Sequence, residues 1–273
     1  MAKSNPKKKS KKANGGAKPI SVKDFTEVTK NWQRCPTDRL ARLFYAYDKY
    51  EMQTERVVTY YMDSATVNSF AKQIKAFNAK KEPFQFLVHL GLRDGYKKSL
   101  RSDAEIPSEP YFDIMLQIQG PSTDFGENVW RLKWEADPLF PRNPFEPVNS
   151  GKDAIPGAAA FLFVHAWLET KSNRLGEPFE TNAYYLGKRV KAFRFEHEEG
   201  QAIAADILAV ASTNEGVLCV HLGKGEEVST HPVRFRPVLE VTTQTFINNG
   251  RIRDEEDDGD GSYFDYSNPI PPG

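Results

Sequence analysis

Cysteine is nearly absent. The chain holds only Cys35 and Cys219, far apart and in no CxxC pair. That excludes a disulfide framework and a thiolate zinc finger, and makes a reducing, cytoplasmic location the expectation. Long apolar runs are missing too. The longest, Ala158 to Leu168, is well short of the roughly 20 residues that span a bilayer, and it contains His165. The lysine-rich start is followed by no apolar stretch and does not read as a secretory signal. No membrane association is expected.

Motifs of catalysis are also lacking. No serine lies in a GxSxG elbow, and Cys35 has no base near it in sequence. His197-Glu198-Glu199-Gly200-Gln201 starts like a zincin helix but has glutamine where the second histidine belongs. Gly223-Lys224-Gly225 is followed by Glu226 and Glu227, which would repel phosphate, so a hairpin turn is expected there. The acidic run from Glu256 has Ser267 at its twelfth position, where a calcium loop needs a bidentate glutamate. These absences predict no catalytic residue, no metal site and no cofactor.

What is present is unevenly charged. Lysine plus arginine and aspartate plus glutamate both total 37. Residues 1–18 carry seven lysines and no acid, and residues 254–273 carry seven acids and no base. Segments so charged and so poor in apolar residues cannot offset the entropy of ordering. The expected organisation is a basic disordered tail over 1–19, a globular body over 20–250 and an acidic disordered tail over 251–273.

The body reads as α+β, with mixed or mainly antiparallel sheet packed with helices. Ser21 and Asp24 mark a helix start, and Val22, Phe25, Val28 and Trp32 share its face. Pro36 stops that helix, and Leu40, Leu43, Phe44 and Tyr47 predict a second one. Strands are predicted over 57–62, 84–92, 111–119, 129–135, 189–195, 216–222 and 235–241, from alternation and β-branched or aromatic content. Ser64 opens an amphipathic helix through Val67, Phe70, Ile74 and Phe77, and Ile203, Ile207 and Val210 line another. Four prolines between 138 and 147 mark a connection between halves of about 20–137 and 150–250. Ala158 to Leu168 is apolar on every side, so periodicity leaves it open; Phe161, Phe163, Val164 and Trp167 favour a strand.

Two blocks read alike. Residues 56–91 and 189–223 each start Arg-Val, run strand, helix, strand, and end Val-His-Leu-Gly. Either this is coincidence, or the body is two pseudo-equivalent strand–helix–strand–strand halves with His89 and His221 at matching places.

Three functional readings follow. The first is a non-catalytic cytosolic interaction protein or assembly subunit with a protein partner. Its docking residues would be Tyr263, Phe264 and Tyr266, aromatics set before a proline-rich end. The second is a nucleic-acid-associated protein using Lys7, Lys8, Lys9, Lys11 and Lys12 to bind phosphates. A helix-turn-helix at 22–50 is weaker, because Asp38, Asp48 and Glu51 spoil its positive face. The third is a hydrolase or metalloenzyme built on His89, His165 and His221, if these inward histidines converge.

Overall fold

The protein was analysed as a computed structural model. The structure describes residues 19–48, 53–100, 106–121, 123, 126–134, 157–180, 189–195, 197–225, 234–248, 262–264 and 267–270. The lysines of the basic segment, Tyr266 and the proline-rich crossing lie outside the described residues.

The first half starts with α1 (Val22–Arg34), a 3-10 turn (Thr37–Phe44) and the hairpin β1 (Tyr45–Asp48) and β2 (Gln53–Arg56). It continues through β3 (Thr59–Met62), α2 (Ser64–Lys80), β4 (Gln85–Leu92), α3 (Tyr96–Ser99), β5 (Phe112–Gln119), β6 (Val129–Arg131) and β7 (Lys133–Trp134). The second half starts with α4 (Gly157–Leu168) and 3-10 turns at Ser172–Arg174 and Glu177–Phe179. It continues through β8 (Ala192–Phe195), α5 (His197–Ser212), β9 (Gly216–Lys224), β10 (Phe235–Thr243), α6 (Gln244–Asn248), β11 (Ser262–Phe264) and β12 (Ser267–Ile270). Ser21 caps α1 by accepting from the Asp24 N–H at 3.1 Å, as its sequence suggests. The cap of α2 is Asp63, one residue before the expected Ser64.

The fold is α+β with antiparallel sheets. Besides the β1–β2 hairpin there are two five-stranded sheets, ordered β12-β8-β4-β5-β6 and β7-β3-β9-β10-β11. Written this way, the two orders match strand for strand, and so does the register. Ala192 lies opposite His89 and Phe195 opposite Phe86; Thr59 lies opposite His221 and Met62 opposite Leu218. One strand further, His89 faces Met115 and His221 faces Val238. At the far side Gln117 faces Val129, and Glu240 faces Tyr263. The blocks ending in Val-His-Leu-Gly are therefore equivalent in topology and register. Each half also gives two strands away: β3 and β7 join the sheet of β9 and β10, and β8 and β12 join the sheet of β4 and β5.

The shared glycine has a packing reason. A Cβ on Gly91 would come within 2.3 Å of Val28 on α1; one on Gly223 would come within 2.7 Å of the Arg236 carbonyl oxygen and 3.0 Å of Phe163 on α4. Glycine lets each helix lie close to its sheet. α1 thus covers the outer face of one sheet, and α4 covers that of the other. Phe86, Val88, Leu90 and their counterparts Leu218, Val220 and Leu222 face a common core, which α2 and α5 fill between the sheets.

Reciprocal hydrogen bonds join the halves. The Trp32 indole donates to the Val190 carbonyl at 2.8 Å, and the Trp167 indole donates to the Val57 carbonyl at 3.0 Å. Arg189 donates to the carbonyls of Trp32 and Cys35 at the end of α1. Arg56 does the same for Trp167 and Leu168 at the end of α4. Each arginine meets carbonyls at a helix end, where intrahelical partners run out; the Trp167 carbonyl also accepts from the Thr170 N–H at 3.1 Å. Phe44 and Phe179 stack on each other with centroids 5.4 Å apart and planes at 3°. They are equivalent residues, so the pseudo-two-fold axis passes between them.

Three expectations are corrected. Ala158 to Leu168 belongs to a helix, α4, not a strand; its apolar content reflects its cover role. The second helix expected after Pro36 is a 3-10 turn followed by β1, with Leu40, Leu43 and Phe44 buried. No recognition helix follows α1, so the helix-turn-helix reading loses its geometry. Finally, part of the expected acidic tail is built into the body. β11 adds to β10 and β12 adds to β8, as the counterparts of β6 and β7. Tyr263 and Phe264 are buried there, because their aromatic surface completes the second sheet.

Truncation after Arg253 removes β11 and β12 together, one strand from each sheet. Burial of Tyr263 and Phe264 alone puts the expected loss at about 5 kcal/mol or more, a large part of ordinary domain stability. Thermal unfolding of the truncated chain is expected to shift down steeply or lose cooperativity. An unchanged melting curve would contradict the pairing.

Candidate functional site

The three histidines do not converge. His89 is buried on β4 in one sheet, and His221 is buried on β9 in the other. His165 points outward from α4, with Glu169 Oε1 3.9 Å from its Nε2. The metalloenzyme reading needed two of these rings in one site, and the fold separates all three.

Each buried histidine instead heads its own polar row on the outer face of its sheet, beneath α1 or α4. In the first half, His89 Nε2 lies 2.8 Å from Gln117 Oε1. Gln117 Nε2 donates to the Glu127 carbonyl at 2.8 Å, which fixes the amide orientation and makes His89 Nε2 the proton donor. The edge of Phe25 packs against the ring at 4.9 Å. Its partner Gln117 is neutral, and burial lowers the His89 pKa to about 4, with the Gln117 hydrogen bond opposing it.

The second half carries different chemistry at the same positions. Leu87 becomes Cys219, Gln117 becomes Glu240, Val129 becomes Tyr263 and Ala192 becomes Thr59. Cys219, His221 and Glu240 are buried, and their ligand-type atoms lie within 4.8 Å of one another. His221 Nε2 is 2.8 Å from Glu240 Oε2, and Thr59 Oγ1 is 2.9 Å from Nδ1. Tyr263 donates to the other carboxylate oxygen, Oε1, at 3.0 Å. Four neighbouring strands, β3, β9, β10 and β11, supply this constellation. No helical ligand spacing marks it in the sequence. The strand signal was Cys219-Val220-His221, two residues apart and so on one face.

Three further candidates lie among the described residues. Cys35 is buried, and burial raises its thiol to about 11, so a nucleophilic thiolate is not available at neutral pH. Tyr263 and Phe264, expected to dock a partner, are occupied within this chain. Among the described residues no helix is long and apolar enough to cross a membrane. No family model, curated protein or solved structure matches the chain.

His89 makes stability pH-dependent. Its folded pKa, about 4, lies below the ordinary 6.5, so between these values the unfolded chain binds the extra proton. The stabilisation is complete above pH 6.5 and is lost as pH falls toward 4, a change of about 3 kcal/mol. His89→Gln should remove this component. The stability gap between wild type and variant, followed by urea unfolding from pH 7 to pH 4, is expected to change by about that amount. Parallel pH profiles would contradict it.

Proposed function

We propose that this chain is a non-catalytic interaction protein that binds another protein through the outer face of α4. The observation that carries this reading is the contrast between two equivalent helices. α1 presents Thr26, Glu27 and Lys30 on the side away from its sheet and Gln33 at its end, where the amide donates to the Val190 carbonyl at 3.4 Å. The counterparts on α4 are Phe161, Leu162, His165 and Leu168. Leu162 is 65 % exposed and Leu168 39 %. Both helices cover the outer face of a sheet in the same way, so the fold does not require this apolar surface. A helix apolar on every side is normally buried on every side, and an exposed apolar face on a folded body is characteristic of a binding surface.

The sealed state of the polar rows also supports binding over catalysis. His89, His221, Glu240 and Cys219 are all buried, whereas a substrate must reach its catalytic groups. The lysines of the nucleic-acid reading lie outside the described residues, and no observation on the described body favours that reading over this one.

Leu162→Glu with Leu168→Gln gives α4 the residues found at the equivalent positions of α1. Both side chains are exposed, so stability is expected to stay within about 0.5 kcal/mol. Wild-type protein immobilised as bait should retain a protein partner that the double variant, folded to the same circular dichroism spectrum, does not. Equal recovery by both proteins would remove the interface from α4.

A further inference from the structure

We infer that Cys219, His221 and Glu240 form a buried zinc site, present in the second half only. Imidazole nitrogen, thiolate sulfur and carboxylate oxygen together are a zinc donor set. All three ligand-type atoms sit within 4.8 Å of one another. Cys219 and Glu240 face each other across β9 and β10, and His221 lies two residues along the same face.

Charge favours the same ion. A buried carboxylate is costly unless its charge is met. Zinc with one thiolate, one carboxylate and one neutral imidazole sums to zero, so the loaded site is electrically neutral. Loading displaces the thiol proton of Cys219 and the proton held between His221 and Glu240; both leave to solvent, and no electrons are transferred.

The outer contacts fit a ligand role. Thr59 Oγ1 contacts His221 Nδ1 at 2.9 Å, which leaves Nε2 facing the carboxylate and the ion. Tyr263 holds the second oxygen of Glu240 at 3.0 Å and orients the first. Metal-bound histidines and carboxylates are characteristically held in this way by a second group. The equivalent first-half row shows what the fold itself needs. Leu87, His89, Gln117, Val129 and Ala192 occupy the matching positions and build the same sheet without a thiol or a carboxylate. Four of the differences in the second half add a ligand or a group that holds one; the fifth, Met115 against Val238, exchanges one apolar side chain for another.

The test is a titration of full-length, chelator-treated protein with zinc and with cobalt(II). The expected result is one equivalent bound per chain, with a thiolate-to-cobalt charge-transfer band in the near ultraviolet. Cys219→Leu and Glu240→Gln restore first-half residues and so should fold. Each is expected to weaken zinc binding at least about 100-fold, since even outer contacts are worth about 10–100-fold. Thr59→Ala should weaken it about 10-fold or more, while Leu87→Ala on the other sheet should not change it. Wild-type protein that is folded yet shows no thiolate–cobalt band overturns the site, whatever the variants do. Equal binding by Glu240→Gln or Cys219→Leu overturns it as well.

Discussion

Each half of this protein is held by a tryptophan that belongs to the other. The Trp32 indole closes on the backbone just before β8, and the Trp167 indole closes on the backbone just before β3. Those two strands, with β7 and β12 at their outer edges, are the ones the halves exchange. An indole N–H buried without an acceptor is costly, so neither tryptophan is satisfied until the other half has delivered its strand. The arginines repeat the arrangement, since Arg56 and Arg189 each finish the helix that carries the opposite tryptophan. Packing follows the same rule. Trp32 lies edge-on to Phe179, and Trp167 lies edge-on to Phe44, with centroids 5.0 and 5.2 Å apart.

The symmetry is useful because it is imperfect. Positions that agree between the halves report what the fold requires: the two tryptophans, the two arginines, the glycine beneath each cover helix and the histidine beside it. Positions that disagree report what the fold does not require. Two such places stand out. One is the outer surface of the cover helix, polar on α1 and apolar on α4. The other is the row beneath it, neutral in the first sheet and rich in metal-type donors in the second. Both lie in the second half, one on each side of α4, which suggests that this half carries the specialised chemistry and the first half serves as its structural counterpart.

Much of this was legible in the sequence. Period-two alternation placed β5 and β6, the runs over 84–92, 216–222 and 235–241 read as strands, and the amphipathic faces of α2 and α5 were clear. The paired Val-His-Leu-Gly endings carried the duplication, because each residue in them has a separate duty: core, polar row, core and helix contact. Three features were not legible, each for a physical reason. α4 has no period because it packs on one face and is apolar on the other. Ser262 to Ile270 follows an acidic run, and composition assigned both to one tail. A complete repeat, however, demanded two more strands after β10, and Tyr263 and Phe264 were the apolar residues left to make them. The Cys219–His221–Glu240 row depends on which strand lies beside which, and that is decided by long-range pairing.

The central claim is that the halves are interdependent through exchanged strands. The most direct measurement is to express residues 19–134 and residues 157–273 as separate chains, then record thermal unfolding and mass of each alone and of the mixture. The account predicts no cooperative transition from either fragment as a monomer, and a one-to-one complex with the near-ultraviolet circular dichroism of the intact chain on mixing. A fragment that remains monomeric and melts cooperatively by itself would contradict it.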